Sequence, residues 1–230
     1  MSRKWSRREF VRAGAASAGA LAAGVSCKNK RAPEKPAAVP TAVSNPSASR
    51  AKPPQKPLVE RLSRKTFLDL LDATADMKMR LCHNCAQATF AALAEVFELD
   101  SEPTLKALTP LPGVAERGET CGAIIASLLV IGMFFGRDRL EDWAGWRACL
   151  VPARAFCDRF ERELGATRCG DLQEKFFGRR FNLADPEELK AFQAAVPGPV
   201  EVCGKIVRAG ARLAAEVILD RFEAASKKPA

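Results

Sequence analysis

Apolar residues recur at helical spacing over the last three quarters of this chain. Between residues 58 and 225 they fall at intervals of three and four, and no stretch alternates apolar and polar residues as a half-buried strand would. The pattern predicts an all-α fold, a single helical-bundle domain over residues 58–225 in which each helix buries one apolar face. Residues 226–230 are expected to form a short disordered tail.

Five long stretches carry this pattern, and one of them is apolar almost throughout. Residues 121–135 include only Ser127 as a hydrophilic side chain, which predicts a helix at the centre of the core. We expect residues 141–164 to be interrupted at Pro152, because proline lacks the amide that an inner helical turn uses. The other predicted helices are 58–79, a helix that begins at the N-cap residue Asn84, and 199–222, in which Gly210 leaves room for a neighbouring helix.

The first residues match an export signal. Arg7 and Arg8, followed by Phe10, fit the twin-arginine pattern, and residues 13–26 form an uncharged stretch of small residues. We therefore interpret residues 1–27 as a twin-arginine signal peptide and expect the protein to be exported to the periplasm.

Cys27 stands at the end of this stretch, directly after Ser26, as at a lipoprotein processing site. Gly24 occupies the position where such sites carry leucine, so lipidation of Cys27 and simple cleavage nearby are both open. Residues 28–57 are rich in proline, alanine and lysine, which predicts a disordered linker. A lipidated Cys27 would make this linker a membrane tether.

The charge is concentrated in the same N-terminal part. The chain has 36 Lys plus Arg against 27 Asp plus Glu, a formal charge of +9. Residues 1–57 hold 12 basic side chains and 2 acidic ones, so residues 58–230, which are the predicted domain with its short tail, hold 24 basic and 25 acidic side chains. A domain of net charge −1 offers no electrostatic footprint for nucleic acid, and we expect no nucleic-acid partner.

The candidate chemistry belongs to the cysteines, of which there are eight against a single histidine. Cys85 directly follows the predicted N-cap, and Cys121 opens the apolar helix. At a helix start the exposed amides and the helix dipole stabilise a thiolate, so we expect a lowered pKa at both. Cys169 is expected in a loop, and Cys203 on the inward face of the last helix.

These contexts resemble a known family. The segments that carry the resemblance are Asn84-Cys85-Ala86-Gln87-Ala88, Glu119-Thr120-Cys121-Gly122-Ala123, Cys169-Gly170-Asp171-Leu172, and Cys203 near the start of a terminal helix. Their order is similar to that of the C-GCAxxG-C-C family of redox-active proteins, small helical domains with four cysteines and a CGAxxG motif. The resemblance covers about residues 65–225 and implies redox activity at Cys85, Cys121, Cys169 and Cys203. Ala126 stands where the motif has glycine.

Cys82 and Cys85 also form a C-x-x-C pair. A c-type haem site needs histidine after the second cysteine, and Ala86 stands there, so haem is excluded. Cys82 is a candidate extra thiol, either a resolving thiol or an alternative ligand, and an incidental thiol is the other interpretation. We expect His83 near the site without being a ligand, and Cys149 and Cys157 in the core.

Three hypotheses account for the four family cysteines. They could bind an iron-sulfur cluster for electron transfer, with zinc as the less favoured metal, since four cysteines are a ligand set of both. They could instead act without metal by thiol–disulfide exchange, with Cys82–Cys85 or Cys85–Cys121 as the active pair. They could also be disulfides that only stabilise a periplasmic domain. We expect an electron-transfer or redox-active protein rather than a classical enzyme, with a redox partner that the sequence does not identify.

Overall fold

The computed structural model describes residues 57–100 and 102–227, and this part of the chain is all-α as predicted. It contains ten helical segments and no strand. The segments are α1 (Leu58–Arg61), α2 (Arg64–Cys82), α3 (Cys85–Val96), α4 (Glu102–Ala107), α5 (Gly113–Glu116), α6 (Gly122–Phe135), α7 (Trp143–Leu164), α8 (Cys169–Phe177), α9 (Pro186–Gln193) and α10 (Pro199–Ser226).

The bundle is formed by the long helices α2, α3, α6, α7 and α10. Helix α10 packs against each of the other four, while α6 packs against α3 and α7. Phe67, Phe90, Phe156 and Phe160 are at most 1% exposed where these helices meet. Burying each such side chain contributes roughly 1.5–3 kcal/mol, so aromatic packing accounts for much of the stability of the bundle.

The crossing of α6 and α10 is close because Gly210 has no side chain, as the sequence predicts. A Cβ atom at Gly210 would lie 3.2 Å from the Cβ of Ala123 and 3.4 Å from the ring of Phe160. Ser127, the hydrophilic side chain of α6, is fully buried and donates its hydroxyl to the Gly210 carbonyl at 3.2 Å. Ala126, which replaces the glycine of the family motif, is fully buried in the same helix.

Two predictions about where a helix is continuous are wrong. Helix α7 continues through Pro152, whose ring is buried on the same face as Phe156 and Phe160, so that packing compensates for the missing amide. The predicted helix over 58–79 is divided at Leu62, which is extended, and Ser63 then caps α2 by accepting from the Thr66 amide at 3.2 Å.

The sequence pattern also missed four short segments, namely α4, α5, α8 and α9. Cys169 was expected in a loop, and this is wrong, because Cys169 is the first residue of α8. With only nine residues, α8 has too few turns to show a clear helical period. Gly178 ends it in a left-handed conformation, as is common at helix C-termini.

The predicted signal peptide, the linker up to residue 56, and the residues Arg7, Arg8 and Cys27 lie outside the described residues. In the described part, none of the helices is long and apolar enough to cross a membrane. Helix α10 extends to Ser226, four residues beyond its predicted end.

Candidate functional site

The four cysteines predicted as site residues line one cavity of about 80 Å³. Each comes from a different segment: Cys85 is the first residue of α3, Cys121 caps α6, Cys169 begins α8, and Cys203 is the fifth residue of α10. Apolar side chains complete the walls, among them Met79, Leu172, Phe177 and Ile206. Four thiols separated by 36, 48 and 34 residues in sequence are thus brought together by the fold.

Cys121 and Cys169 are held together by a short antiparallel pairing of the chain. Thr120 and Arg168 form an isolated β-bridge. The amide of Cys121 donates to the Thr167 carbonyl at 2.9 Å, and that of Cys169 to the Glu119 carbonyl at 2.6 Å. These hydrogen bonds fix the entry into α6 and into α8 at the same point, so both cysteines face the cavity.

Gly122 brings α3 and α6 together at the cysteines. A Cβ atom on Gly122 would lie 2.7 Å from Sγ of Cys85 and 2.9 Å from the amide nitrogen of Ala86. No side chain fits there, so the glycine after Cys121 is required for the close approach of Cys85 to the start of α6. The CG dipeptide of the family motif therefore has a steric cause in this structure.

Cys85 is the most acidic thiol of the site. The pKa of Cys85 is lowered because the Cys121 thiol donates a hydrogen bond to its sulfur, against the opposing effect of burial. The backbone amides of Gly122, Ala86 and Cys85 itself also donate to this sulfur. These amides belong to the starts of α3 and α6, which confirms the expected stabilisation of a thiolate at Cys85.

The same expectation is wrong for Cys121. Its pKa is raised well above the usual value because its proton is held in the hydrogen bond to Cys85 and because it is buried, with 4% exposure. The amide of Ala123 opposes this effect without reversing it. Of these two neighbouring thiols, Cys85 is therefore the one that ionises first.

The remaining two cysteines also favour the protonated form. Burial and the negative charges of Cys85 and Glu116 raise the pKa of Cys169 to about 12. Burial and the charges of Cys85 and Cys169 raise the pKa of Cys203 as well. Cys85 is therefore the cysteine of the cluster that loses its proton most readily.

A left-handed segment borders the site and was not foreseen in the sequence. All four residues of α5 have positive φ, with values of 51°, 52°, 58° and 61° from Gly113 to Glu116. A Cβ atom on Gly113 would lie 3.2 Å from Sγ of Cys169, so the backbone reaches the thiol there. Consecutive left-handed residues other than glycine are costly, and such conformations cluster at functional sites. The Pro112-Gly113 dipeptide was the available sequence signal.

The C-x-x-C pair is not brought together in the cavity. Cys82 is exposed, does not line the cavity, and donates its thiol to the Asn84 carbonyl at 3.5 Å. His83 lies at the cavity with a φ of 50°, near the thiols as expected. Asn84 caps α3 as predicted, accepting from the Gln87 amide at 3.0 Å, but the Gln87 side chain binds the Leu105 carbonyl and does not complete a capping box.

Cys149 and Cys157 lie on α7 and do not line the cavity of the four site cysteines. Both are partly buried rather than fully buried, so their assignment to the core holds only for Cys157, which packs against it. All seven cysteines of the described residues carry free thiols. Over residues 57–100 and 102–227, no three His, Cys, Asp or Glu side chains are arranged to hold a metal ion.

Comparison with known proteins gives one match. Residues 83–217 match a protein-family model described as "Putative redox-active protein (C_GCAxxG_C_C)". The matched region begins beside Cys85 and includes the four cysteines of the cavity. No curated protein and no solved structure shows significant similarity to the chain.

Proposed function

This chain belongs to the C_GCAxxG_C_C family of redox-active proteins, and from that premise we propose that Cys85 and Cys121 are its dithiol–disulfide couple. The observation that carries the proposal is the close approach of Cys85 to the start of α6, where a Cβ atom on Gly122, the residue after Cys121, would lie 2.7 Å from the Cys85 sulfur. Of the two pairs that the sequence left open, only Cys85 and Cys121 face the same cavity.

The two sulfurs have complementary roles. Cys85, as the thiolate, is the nucleophile, and Cys121 retains the proton that it donates to Cys85. Oxidation forms the Cys85–Cys121 bond, releases the Cys121 proton, and delivers two electrons to an oxidant. Reduction reverses each of these changes.

Cys169 and Cys203 form the other walls of the reaction cavity. With their pKa values raised by burial and by the charge of Cys85, they remain neutral when Cys85 is ionised. A second anion would repel the Cys85 thiolate at close range. Their protonation thus preserves the single charge on which the proposed couple depends.

A redox titration in thiol buffers tests this couple. The full chain is expected to show one two-electron transition that Cys85→Ser or Cys121→Ser abolishes. Cys82→Ser, which removes the neighbouring exposed thiol, is the matched control and is expected to leave the transition in place. A transition that survives Cys121→Ser but is lost with Cys82→Ser would instead identify Cys82–Cys85 as the couple.

A second candidate function is the binding of an iron-sulfur cluster or, less favoured, zinc. It is supported by the convergence of four thiols, each on its own segment, at one cavity with apolar walls. Four thiolates are a ligand set for either group, but no three of these side chains are arranged to hold a metal ion in this structure, so Cys85, Cys121, Cys169 and Cys203 would have to move closer together to act as ligands. A cluster would supply one-electron transfer, whereas zinc is redox-inert. The high pKa values of three thiols mean that binding would release protons.

Anaerobic purification separates the two candidates. The dithiol proposal expects colourless protein without stoichiometric iron, sulfide or zinc, which loses two free thiols on oxidation. Visible absorption together with stoichiometric iron and sulfide would contradict the dithiol proposal and support the iron-sulfur cluster. Stoichiometric zinc would contradict it in favour of a zinc site. Disulfides that are not reduced in the redox titration with thiol buffers would support a purely structural role for the cysteines.

The N-terminal segment supports a further part of the proposal, which is export. Arg7 and Arg8 are the residues expected to direct the chain through the twin-arginine pathway, and Cys27 is the candidate lipidation site. Arg7→Lys together with Arg8→Lys is expected to retain the protein in the cytoplasm in a fractionation experiment. Cys27→Ala tests the anchor separately, because it should release an exported lipoprotein from the membrane fraction.

A further inference from the structure

The start of α7 and the turn before it expose three large apolar side chains. Leu140 is 80% exposed, Trp143 is 67% exposed, and Trp146 is exposed as well. The two indole rings contact each other edge to face, with 5.4 Å between their centroids. We call these three residues the indole surface. Exposed apolar side chains that cluster in this way mark a surface for a partner or a membrane.

Two arginines hold their guanidinium groups against the indole rings. That of Arg137 lies 5.8 Å from the ring centroids of both Trp143 and Trp146, and that of Arg147 lies 4.8 Å from the ring of Trp146. Residues 137–147 contain three arginines and three acidic side chains, so this segment has no net charge. Apolar contact rather than net charge is therefore the main source of binding energy at the indole surface.

This combination of side chains fits the boundary between lipid headgroups and acyl chains. Indole has an apolar body and an N–H group, and tryptophan is enriched at that boundary. Arginine keeps its charged group in water while its stem lies along apolar surface. The indole surface offers both properties in one short stretch of chain.

The indole surface lies at the end of the bundle where the described part of the chain begins. Pro57, the first described residue, lines a pocket together with Phe134 and Phe222, which stand near the C-terminal ends of α6 and α10. Arg137, which contacts the indole rings, follows Phe134 by three residues. The predicted linker from Cys27 therefore joins the bundle at the same end as the indole surface.

The thiol cavity lies at the opposite end of the same helices. Cys85, Cys121 and Cys203 stand at or near the N-terminal ends of α3, α6 and α10. Helix α6 has 14 residues, so its two ends are about 20 Å apart. A membrane at the indole surface would leave the thiol cavity facing the aqueous phase.

We propose that the indole surface docks on a phospholipid bilayer. Leu140, Trp143 and Trp146 enter the boundary between headgroups and acyl chains, while Arg137 and Arg147 remain at the level of the phosphates. This contact adds to any lipid anchor at Cys27, and it holds whichever thiols form the redox couple. It also orients the bundle, with the thiol cavity directed away from the membrane.

Tryptophan fluorescence with vesicles tests the docking. The chain has three tryptophans, so the full chain carrying Trp5→Phe emits only from Trp143 and Trp146. Phosphatidylcholine vesicles are used because they have no net charge to attract the basic N-terminal segment. We expect a blue shift on addition of vesicles, and quenching when the phosphatidylcholine carries bromine near the headgroup end of its acyl chain. Absence of quenching, whether or not the chain sediments with the vesicles, would overturn the inference.

Two exposed leucines provide matched variants of the Trp5→Phe chain. Leu140→Glu is expected to weaken binding, measured by titrating this quenching, roughly tenfold because it places a charge in the apolar boundary. Leu81→Glu alters a residue that is 78% exposed near the C-terminal end of α2, between the cavity residues Met79 and His83, and it should bind within twofold of the parent. Equal affinities of the two variants would contradict the proposed surface and orientation.

Sedimentation velocity without vesicles distinguishes a bilayer from a second copy of the chain. The Trp5→Phe protein is expected to sediment at the same rate with and without Leu140→Glu. A dimer that Leu140→Glu dissociates would assign the indole surface to contact between two chains and would overturn the membrane inference.

Discussion

At the scale of single residues, the four site cysteines differ in how readily each loses its proton. Cys85 accepts hydrogen bonds from Cys121 and from the amides at two helix starts, so its thiolate is stabilised. The sequence predicted this for Cys85 from its place after an N-cap. It could not predict the opposite shift at Cys121, because the proton of Cys121 is shared with a residue 36 positions away, and that contact exists only in the folded chain.

The raised pKa of Cys169 predicts a dependence of stability on pH. A thiol in the unfolded chain titrates near pH 8.5, whereas folding raises the pKa of Cys169 to about 12 through burial and the charges of Cys85 and Glu116. The folded state thus keeps a proton that the unfolded state loses. The contribution to stability is complete below about pH 8.5 and decreases as the pH rises toward 12.

Urea unfolding of the reduced protein at pH 8 and at pH 10 measures this effect. Cys169→Ser should lose less stability between the two pH values than the wild-type chain, by up to about 1.4 kcal/mol for each pH unit above 8.5. Cys149→Ser, on α7 and outside the cavity, controls for the removal of a thiol. An identical loss in the wild-type and Cys169→Ser proteins would show that Cys169 is not held in its protonated form by the fold.

At the scale of elements, two glycines of α6 make a direct comparison possible. Gly122 is in contact with Cys85, where a Cβ atom would lie 2.7 Å from the sulfur, whereas a Cβ atom on Gly132 would meet nothing within 4 Å. Gly122→Ala should therefore destabilise the protein by roughly 1–3 kcal/mol and shift the midpoint of the redox titration. Gly132→Ala should leave the midpoint unchanged and stabilise the helix by roughly 0.5–1 kcal/mol.

Thermal or urea unfolding together with the redox titration checks both variants. A Gly122→Ala protein with wild-type stability and the wild-type redox midpoint would show that the redox behaviour of Cys85 does not depend on its close approach to the start of α6. The sequence identified this glycine as part of a motif. The steric reason for a glycine at position 122 is visible only in the structure, where α3 packs on α6.

Three helices are joined by one carboxylate. Asp220 of α10 pairs with Arg64 of α2 at 2.6 Å and with Arg159 of α7 at 2.8 Å. Because these groups are partly exposed, Asp220→Asn is expected to lower the free energy of unfolding by only about 1 kcal/mol. Glu201→Gln removes the pair with Lys205 within α10 and is expected to cost less than about 0.5 kcal/mol in the same urea experiment. If both substitutions lowered the free energy of unfolding equally, the ion pairs of Asp220 between helices would contribute no more to stability than an ion pair within one helix.

The elements also show what hydrophobic periodicity can and cannot predict. The long helices α2, α3, α6 and α10 follow from their apolar stripes, because each has several turns that repeat the pattern. The continuity of α7 at Pro152 could not be predicted, since it depends on the burial of the proline ring in the folded chain. The short α8 and the left-handed α5 were missed because their conformations are fixed by contacts around Cys169.

At the scale of the whole molecule, the fold brings four cysteines from distant segments to one cavity. The resemblance to the C_GCAxxG_C_C family, which rests on the order of the cysteines and their local contexts, identified Cys85, Cys121, Cys169 and Cys203 as one set. The sequence spacing of the cysteines did not predict which pair is in contact, because helix packing sets the distances between their sulfur atoms. The structure favours Cys85–Cys121 and leaves Cys82 exposed outside the cavity.

The most direct test of this account is peptide mapping of the full chain after mild oxidation with diamide, with free thiols blocked before digestion. The dithiol proposal predicts one dominant disulfide that links the peptide containing Cys85 to the peptide containing Cys121. It also predicts that Cys82, Cys149, Cys157, Cys169 and Cys203 are recovered as blocked thiols. A dominant Cys82–Cys85 disulfide, or full recovery of blocked Cys85 and Cys121, would contradict the central claim.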